Sequence, residues 1–286
     1  MTLAAVELPD LLIEPIVRAA LAEDLGLAGD VTSRACIAPD ARLAGAFVAR
    51  RPGVIAGLAC ARLAVRLLDP AARFEALASD GETVTTGAVL ARVEANARAL
   101  LGAERVALNL LCRLSGIATL TAAYVAAVAG TSAAIVDTRK TTPGLRALEK
   151  YAVRCGGGAN HRFGLDDAVL IKDNHVAACG GVGEAVRRAR KAAGHMVRIE
   201  VEIDRLDQLE EALAEGPDII MLDNFALADL GAAVRQTAGG ARLEASGGVS
   251  LETAPAIAAT GIDLISVGAL THSAPVLDIG LDVGSN

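Results

Sequence analysis

The stretch V-R-I-E-V-E-I-D-R-L-D-Q-L-E-E-A-L-A-E-G-P-D-I-I-M-L-D-N, residues 197–224, decides the fold. An apolar run crossed by Glu200 and Glu202 leads into leucines at helical spacing over 206–215. The chain then turns at Gly216-Pro217, and a second apolar run ends in Asp223-Asn224. A strand, a helix and a strand in so short a space read as a right-handed crossover between parallel neighbours. The pattern repeats outward. Strands are predicted at 133–136, 168–171, 197–203, 218–222, 242–245 and 264–267, with helices at 145–153, 182–193, 206–215, 227–237 and 251–260. Short apolar strands alternating with helices predict a parallel sheet, arranged as an α/β barrel or part of one. A doubly wound open sheet is the competitor, weakened because no G-x-G-x-x-G follows a strand.

The earlier part of the chain has a different style. Leu11, Leu12, Val17 and Leu21 mark one face of a helix that stops near Gly26. Strand-like runs at 44–50, 54–55, 83–86 and 89–93 are punctuated by turns such as Pro52-Gly53. A long helix over 99–129 follows, giving an α+β layer with a helical spine.

Composition narrows the function classes. The 286 residues carry a net charge of -7, no Trp and two Tyr. An acidic chain without an aromatic platform is not built for nucleic acid or anionic membranes. Cys36, Cys60, Cys112, Cys155 and Cys179 are scattered without C-x-x-C, so reduced thiols in a cytoplasmic protein are expected. The first ten residues hold Glu7 and Asp10 and no basic segment, and charges interrupt the apolar runs. Neither a signal peptide nor a membrane span is expected.

Each predicted strand of the second part finishes in polar residues or glycine. The first ends in Asp137-Thr138-Arg139-Lys140 and the second in Lys172-Asp173-Asn174-His175. The third carries Glu200 and Glu202, the fourth ends in Asp223-Asn224 and the fifth in Ser246-Gly247-Gly248. Gly268 ends the sixth, with His272 four residues on. In a barrel these ends share one mouth. Lys172 and Glu202 interrupt apolar runs, and a charge taken out of water needs a partner. Residues 137–175 gather Arg139, Lys140, Lys150, Arg154, His161, Arg162, Lys172 and His175 in an otherwise acidic chain. That points to a small anion, a polycarboxylate or a phosphate. Arg139 and Arg162 suit bidentate grips on carboxylates. Glu202 and Asp223 suit sugar hydroxyls or a magnesium ion held through water. The S-G-G turn and the segment at Gly268 resemble a phosphate cradle. His161 reads as a general base or a simple hydrogen-bond donor. Asp166-Asp167 reads as a helix or loop cap with a ligand role left open, His195 as structural or surface, and the 187–190 arginines as a solvated helix face.

These motifs, taken in order, resemble the quinolinate phosphoribosyltransferase family, also called nicotinate-nucleotide pyrophosphorylase (carboxylating). The resemblance runs from L-A-E-D-L-G-L-A-G-D-V-T-S (21–33) and G-A-E-R-V-A-L-N-L-L-C-R-L-S-G-I-A-T (102–119) through D-T-R-K-T-T-P-G-L-R, Y-A-V-R-C-G-G-G-A-N-H-R and L-I-K-D-N-H. It continues through V-E-I-D, M-L-D-N-F, E-A-S-G-G-V and S-V-G-A-L-T-H-S, with no departure at a site position. It implies an N-terminal α/β sandwich-like domain over 1–115 and an incomplete, open parallel α/β barrel over 116–271, with a tail at 272–286 packed back on the first domain. It implies transfer of a phosphoribosyl group from 5-phosphoribosyl-1-diphosphate to quinolinate with decarboxylation. Magnesium and a homodimer with shared sites are implied as well. By the same resemblance Arg105 reaches quinolinate across the dimer. Arg139, His161 and Arg162 form the carboxylate cage, with Lys172 at its edge, and Lys140 contacts diphosphate or substrate. Glu202 and Asp223 serve the ribose and magnesium, and Ser246, Gly247, Gly248, Gly268 and His272 hold the 5-phosphate. Catalysis falls to Lys172, Glu202 and Asp223. The rivals are a Schiff-base barrel using Lys172, a paralogue attached to molybdate transport and a non-catalytic phosphoribosyl-ligand sensor.

Overall fold

The computed structural model describes residues 8–284. Residues 1–7, on which the expectation about a signal peptide partly rests, lie outside the described residues, as do 285 and 286 of the tail. The strands are β1 (Arg42–Ala49), β2 (Gly53–Val54), β3 (Arg73–Ala76), β4 (Thr83–Val84), β5 (Val89–Asn96), β6 (Ala134–Val136), β7 (Val169–Ile171), β8 (Ile199–Ile203), β9 (Ile219–Asp223), β10 (Arg242–Ser246), β11 (Leu264–Ser266) and β12 (Ile279–Val283). The chain forms two compact units. One comprises 1–122, 141–157 and 270–286, the other 123–140 and 158–269.

The first unit is built on an antiparallel sheet in the order β12-β1-β5-β3. The first helix, Asp10–Leu25, buries Ile13, Val17 and Leu21, one residue per turn. Leu11 and Leu12, expected on that buried face, are exposed, because their positions fall outside the i, i+4, i+8 stripe. The helix Leu58–Leu68, which the turn-punctuated sequence concealed, starts at Gly57, whose φ of 103° suits glycine. The Asp80 carboxylate accepts from the Gly57 and Leu58 amides and from the Tyr151 hydroxyl. That satisfies donors a helix start leaves open.

The predicted spine is the helix Ala97–Ala127. Leu100, Ala103, Ala107, Leu111, Leu114, Ile117 and Ala118 bury its core side at helical spacing. It is long and apolar enough to cross a membrane by length and hydropathy, and half of that window is buried inside the protein. Near its middle Arg113 makes an ion pair. Its Nε and Nη2 donate to Glu149 Oε1 at 2.8 and 2.6 Å. Nη2 also donates to Thr142 Oγ1 at 2.9 Å and to the Thr271 carbonyl at 2.8 Å. Glu149 is fully buried on the helix Arg146–Cys155 and accepts the Thr142 amide at 3.0 Å as well. This helix, expected between strands of the parallel sheet, clusters with the first unit, where its buried carboxylate finds its partner. At Gly116 an added Cβ would stand 2.0 Å from the Pro275 carbonyl, so the tail lies directly on the spine.

The second unit holds six parallel strands in the order β6-β11-β10-β9-β8-β7. No pairing joins β6 to β7 among the described residues, which makes the expected incomplete barrel. Five of its strands start and end within one residue of the predicted limits, and β8 starts two residues late. Residues paired in a parallel sheet share a face. Register therefore puts Glu200, Glu202, Met221, Asp223, Glu244, Ser246, Leu264 and Ser266 on one side. The other side carries Val201, Ile203, Ile220, Leu222, Leu243, Ala245 and Ile265, all buried. One face is thus apolar, and the other collects most of the unit's buried charge.

Glu149→Ala should lower the stability of the first unit by about 3 kcal/mol, because removing one partner strands the other in a poorly solvated place. Denaturant melts of the variant and the parent measure this.

Candidate active site

The site starts from Asp137. It follows β6 directly, is fully buried, and accepts the His161 amide at 2.9 Å and Asn160 Nδ2 at 2.6 Å. The Asp137 amide donates to the Ala159 carbonyl, and Val136 bridges Ala159 in parallel. The A-N-H-R segment therefore lies along the open edge of the sheet. This brings Arg139, two residues past Asp137, to the same end as Arg162, which follows His161. Both are partly buried, and neither Nε has a hydrogen-bond partner among the described residues. Arg162 Nη1 donates to the Ala168 carbonyl at 3.2 Å. Burial first and the Arg139 charge second press the Arg162 pKa down, while Glu200 and Asp167 oppose this. Two guanidinium groups held close with unused donors favour a bound anion. Asp167, read as a cap, accepts the Phe163 and Gly164 amides at 2.5 and 3.0 Å.

His161 points inward. Its Nδ1 accepts the Arg162 amide at 2.7 Å. Its Nε2 lies 2.9 Å from Glu200 Oε2 and 3.6 Å from Glu244 Oε1. A nitrogen that accepts carries no proton, so the hydrogen sits on Nε2, the nitrogen nearer the carboxylates, though it makes no aligned hydrogen bond to either. These three residues gather ligand-type atoms within 4.8 Å of one another. The tautomer argues against a metal there. A neutral imidazole binding through Nε2 needs its proton on Nδ1, which is already accepting. Burial first, and the Glu200 charge second, push the Glu244 carboxyl up to about 7, with His161 pulling it down.

Lys172 and Glu202, which sequence reading marked as charges crossing apolar runs, meet: Nζ to Oε2 is 2.5 Å. Lys172 is exposed, and it precedes the short helix Asp173–Cys179, which sequence reading missed. His175 serves that helix locally, its Nδ1 accepting the Lys172 amide at 2.9 Å. Asp223 ends β9 on the same face as Glu202 and accepts Asn224 Nδ2 at 2.7 Å. Glu202 and Asp223 offer hard carboxylate oxygens of the kind magnesium takes, one or two at a time, beside water and phosphate. The donor set fits that ion.

After β10 the chain turns through Ser246-Gly247-Gly248. The Ser246 carbonyl accepts the Asn224 amide at 2.8 Å. A Cβ on Gly247 would stand 2.1 Å from Asn224 Oδ1, and both glycines have positive φ, 95° and 59°. The turn therefore requires glycine and leaves its backbone open. Gly268 follows β11 in the same unit, and Lys140 is exposed just past Arg139. Arg105, exposed on the spine helix, and His272, whose Nδ1 lies 2.6 Å from Ser273 Oγ, belong to the first unit. The second unit thus brings together Arg139, Lys140, His161, Arg162, Lys172, Glu202, Asp223, Ser246, Gly247, Gly248 and Gly268. Sequence reading assigned no role to Asp137 or Glu244 and left Glu200 unassigned beside Glu202. The one available signal was a carboxylate inside an apolar run, carried by R-L-E-A-S as well as by I-E-V-E-I.

Residues 30–115 match the family model described as quinolinate phosphoribosyl transferase, N-terminal domain, and residues 117–282 match that of the C-terminal domain. The nicotinate-nucleotide pyrophosphorylase (carboxylating) of Mycobacterium leprae is 51% identical over 272 residues, 93% of this chain and 95% of its own. The probable nicotinate-nucleotide pyrophosphorylase (carboxylating) of Bacillus subtilis is 49% identical over 261 residues, covering 91% and 90%. Among solved structures, the nicotinate-nucleotide pyrophosphorylase of Francisella tularensis aligns with a TM-score of 0.93 at 39% identity, over 99% of this chain and 100% of its own. NadC from Streptococcus pyogenes aligns with a TM-score of 0.93 at 42% identity, over 97% and 98%.

The Glu244 carboxyl is raised from an ordinary 4.5 to about 7. Between those values the folded chain holds a proton that the unfolded chain has released, so stability falls as pH rises through that window and levels off above it. Its neighbours there are Glu200, His161, Ser266 and Arg242. Glu244→Gln should flatten this fall, which denaturant midpoints at pH 5 and pH 8 will measure for variant and parent.

Proposed function

The chain belongs to the quinolinate phosphoribosyltransferase family, and we propose that it transfers the phosphoribosyl group of 5-phosphoribosyl-1-diphosphate to quinolinate with decarboxylation. The products are nicotinate mononucleotide, diphosphate and carbon dioxide, a step of de novo NAD biosynthesis. The observation that carries this reading is the segregation of charge at one end of an open sheet. Arg139 and Arg162 stand at the β6 edge with unused donors, while Glu202 lies one residue before the end of β8 and Asp223 ends β9.

The reaction needs both kinds of group. The pyridine nitrogen attacks the anomeric carbon, and the bond to diphosphate breaks with its electron pair leaving on the diphosphate. Positive charge develops on the ribose, where the Glu202 and Asp223 carboxylates stabilise it. The pyridinium so formed is an electron sink. The bond from ring carbon 2 to its carboxylate then breaks, carbon dioxide departs, and the electron pair stays on that carbon until it takes a proton. Arg139 and Arg162 orient the dianion and hold the carboxylate that remains. Lys172, at the edge of the cage, adds positive charge, and Lys140 reaches diphosphate or substrate. The S-G-G turn with Gly268 holds the 5-phosphate by backbone donors. Glu202 and Asp223 would hold magnesium through water, and the ion would neutralise the leaving diphosphate.

The same reading takes the protein as a cytoplasmic homodimer, with Arg105 completing the partner's site. The Schiff-base rival is less well supported, since Lys172 is exposed and ion-paired with Glu202, not the desolvated amine that chemistry requires.

The test is turnover with quinolinate, the activated ribose phosphate and magnesium, following one carbon dioxide per nicotinate mononucleotide. No product, from protein shown to be folded, would overturn the reading. Nicotinate has one carboxylate and leaves cage cations unpaired, so its kcat/KM should be at least about tenfold lower. Mixing Arg105→Ala with Lys172→Ala subunits should restore about one competent site per hybrid dimer. Failure to recover, with exchange confirmed by native mass spectrometry, would reject the shared site.

A further inference from the structure

Glu200 and Glu244 are buried carboxylates for which the reaction above has no use. Both lie on the inward face of the sheet, on β8 and β10. Glu200 Oε1 and both oxygens of Glu244 have no hydrogen-bond partner among the described residues. Carboxylates kept out of water without full hydrogen bonding are costly, so their retention calls for a reason.

The contacts form one continuous strut. Glu200 Oε2 lies 2.9 Å from His161 Nε2, a close electrostatic contact rather than an aligned hydrogen bond. On the far side of the ring, Nδ1 receives the Arg162 amide at 2.7 Å. The His161 amide is tied in turn to Asp137 at 2.9 Å. The imidazole therefore spans from the floor of the sheet to the backbone of the arginine that grips substrate. Nδ1 accepts the Arg162 amide and Nε2 is buried against Glu200, so neither nitrogen is open to substrate. Glu200 also supplies charge. It supports the Arg162 cation against burial and against Arg139.

We propose that Glu200 is a positioning residue for quinolinate. It touches no substrate; it holds His161 in the Nε2–H tautomer, and so holds the Arg162 backbone and guanidinium where the dicarboxylate binds. Glu244, 3.6 Å from the same nitrogen and not hydrogen-bonded to it, adds a second negative charge beside the ring. The proposal rests on the quinolinate reading of the site, but its geometric half stands without substrate.

Glu200→Gln keeps an acceptor oxygen and removes the charge, while Glu200→Ala removes both. In the Gln variant the KM for quinolinate should rise about tenfold, as for loss of one charge-assisted contact, with the KM for 5-phosphoribosyl-1-diphosphate unchanged within about twofold. The Ala variant should lose more on the same side. Nitrogen-15 NMR of the substrate-free protein should show His161 as the Nε2–H tautomer in the parent and in Glu200→Gln, and a mixture of tautomers in Glu200→Ala. If the Ala variant fails to fold, the Gln variant and the parent spectrum decide. An unchanged quinolinate KM, equal changes for both substrates, or an Nδ1–H tautomer in the parent would overturn the proposal. Absence of any quinolinate turnover by the parent, with the expected tautomer present, would instead reject the function and leave the strut standing.

Discussion

Two partly buried arginines at the β6 edge, each with an Nε that has no hydrogen-bond partner among the described residues, set the terms for the second unit. Arg139 and Arg162 are brought together by Asp137, which fastens the A-N-H-R segment to the end of β6. Like charges at close range and partly out of water are unfavourable alone. The structure meets this from beneath with Glu200 and leaves the remaining compensation to a ligand. Much of the inward face follows from that need. Lys172 is answered by Glu202, and Asp223 and Ser246 end neighbouring strands in register. The apolar face opposite holds the sheet, so the charged face is free to be chemical.

Much of this was legible in the sequence. The strands of the second unit could be placed because each is a short apolar run, and the polar residues at their ends could be read as one mouth because parallel strands share a direction. Lys172 and Glu202 were visible as charges inside apolar runs, and they do pair. The spine helix was visible from its spacing.

What stayed hidden depends on contacts between residues far apart in the chain. Nothing local in D-T-R-K marks Asp137 as the acceptor for an amide at 161. Glu244 looks like one acid in a strand until the register puts it beside His161. The helix Arg146–Cys155 sits between two predicted strands, yet Glu149 draws it to Arg113 in the first unit. The helix Asp173–Cys179 is too short for periodicity to reveal, and its start is secured by His175, a residue that composition alone placed in the cationic cluster.

The central claim is that the arginine pair is a receptor for a dianion. Calorimetric titration of quinolinate into Arg162→Ala and the parent tests it most directly. A lost charge-assisted bond of roughly 1.5–3 kcal/mol corresponds to a Kd weaker by about ten- to a hundredfold, and that is the result expected. Equal affinity in the two proteins would contradict the account.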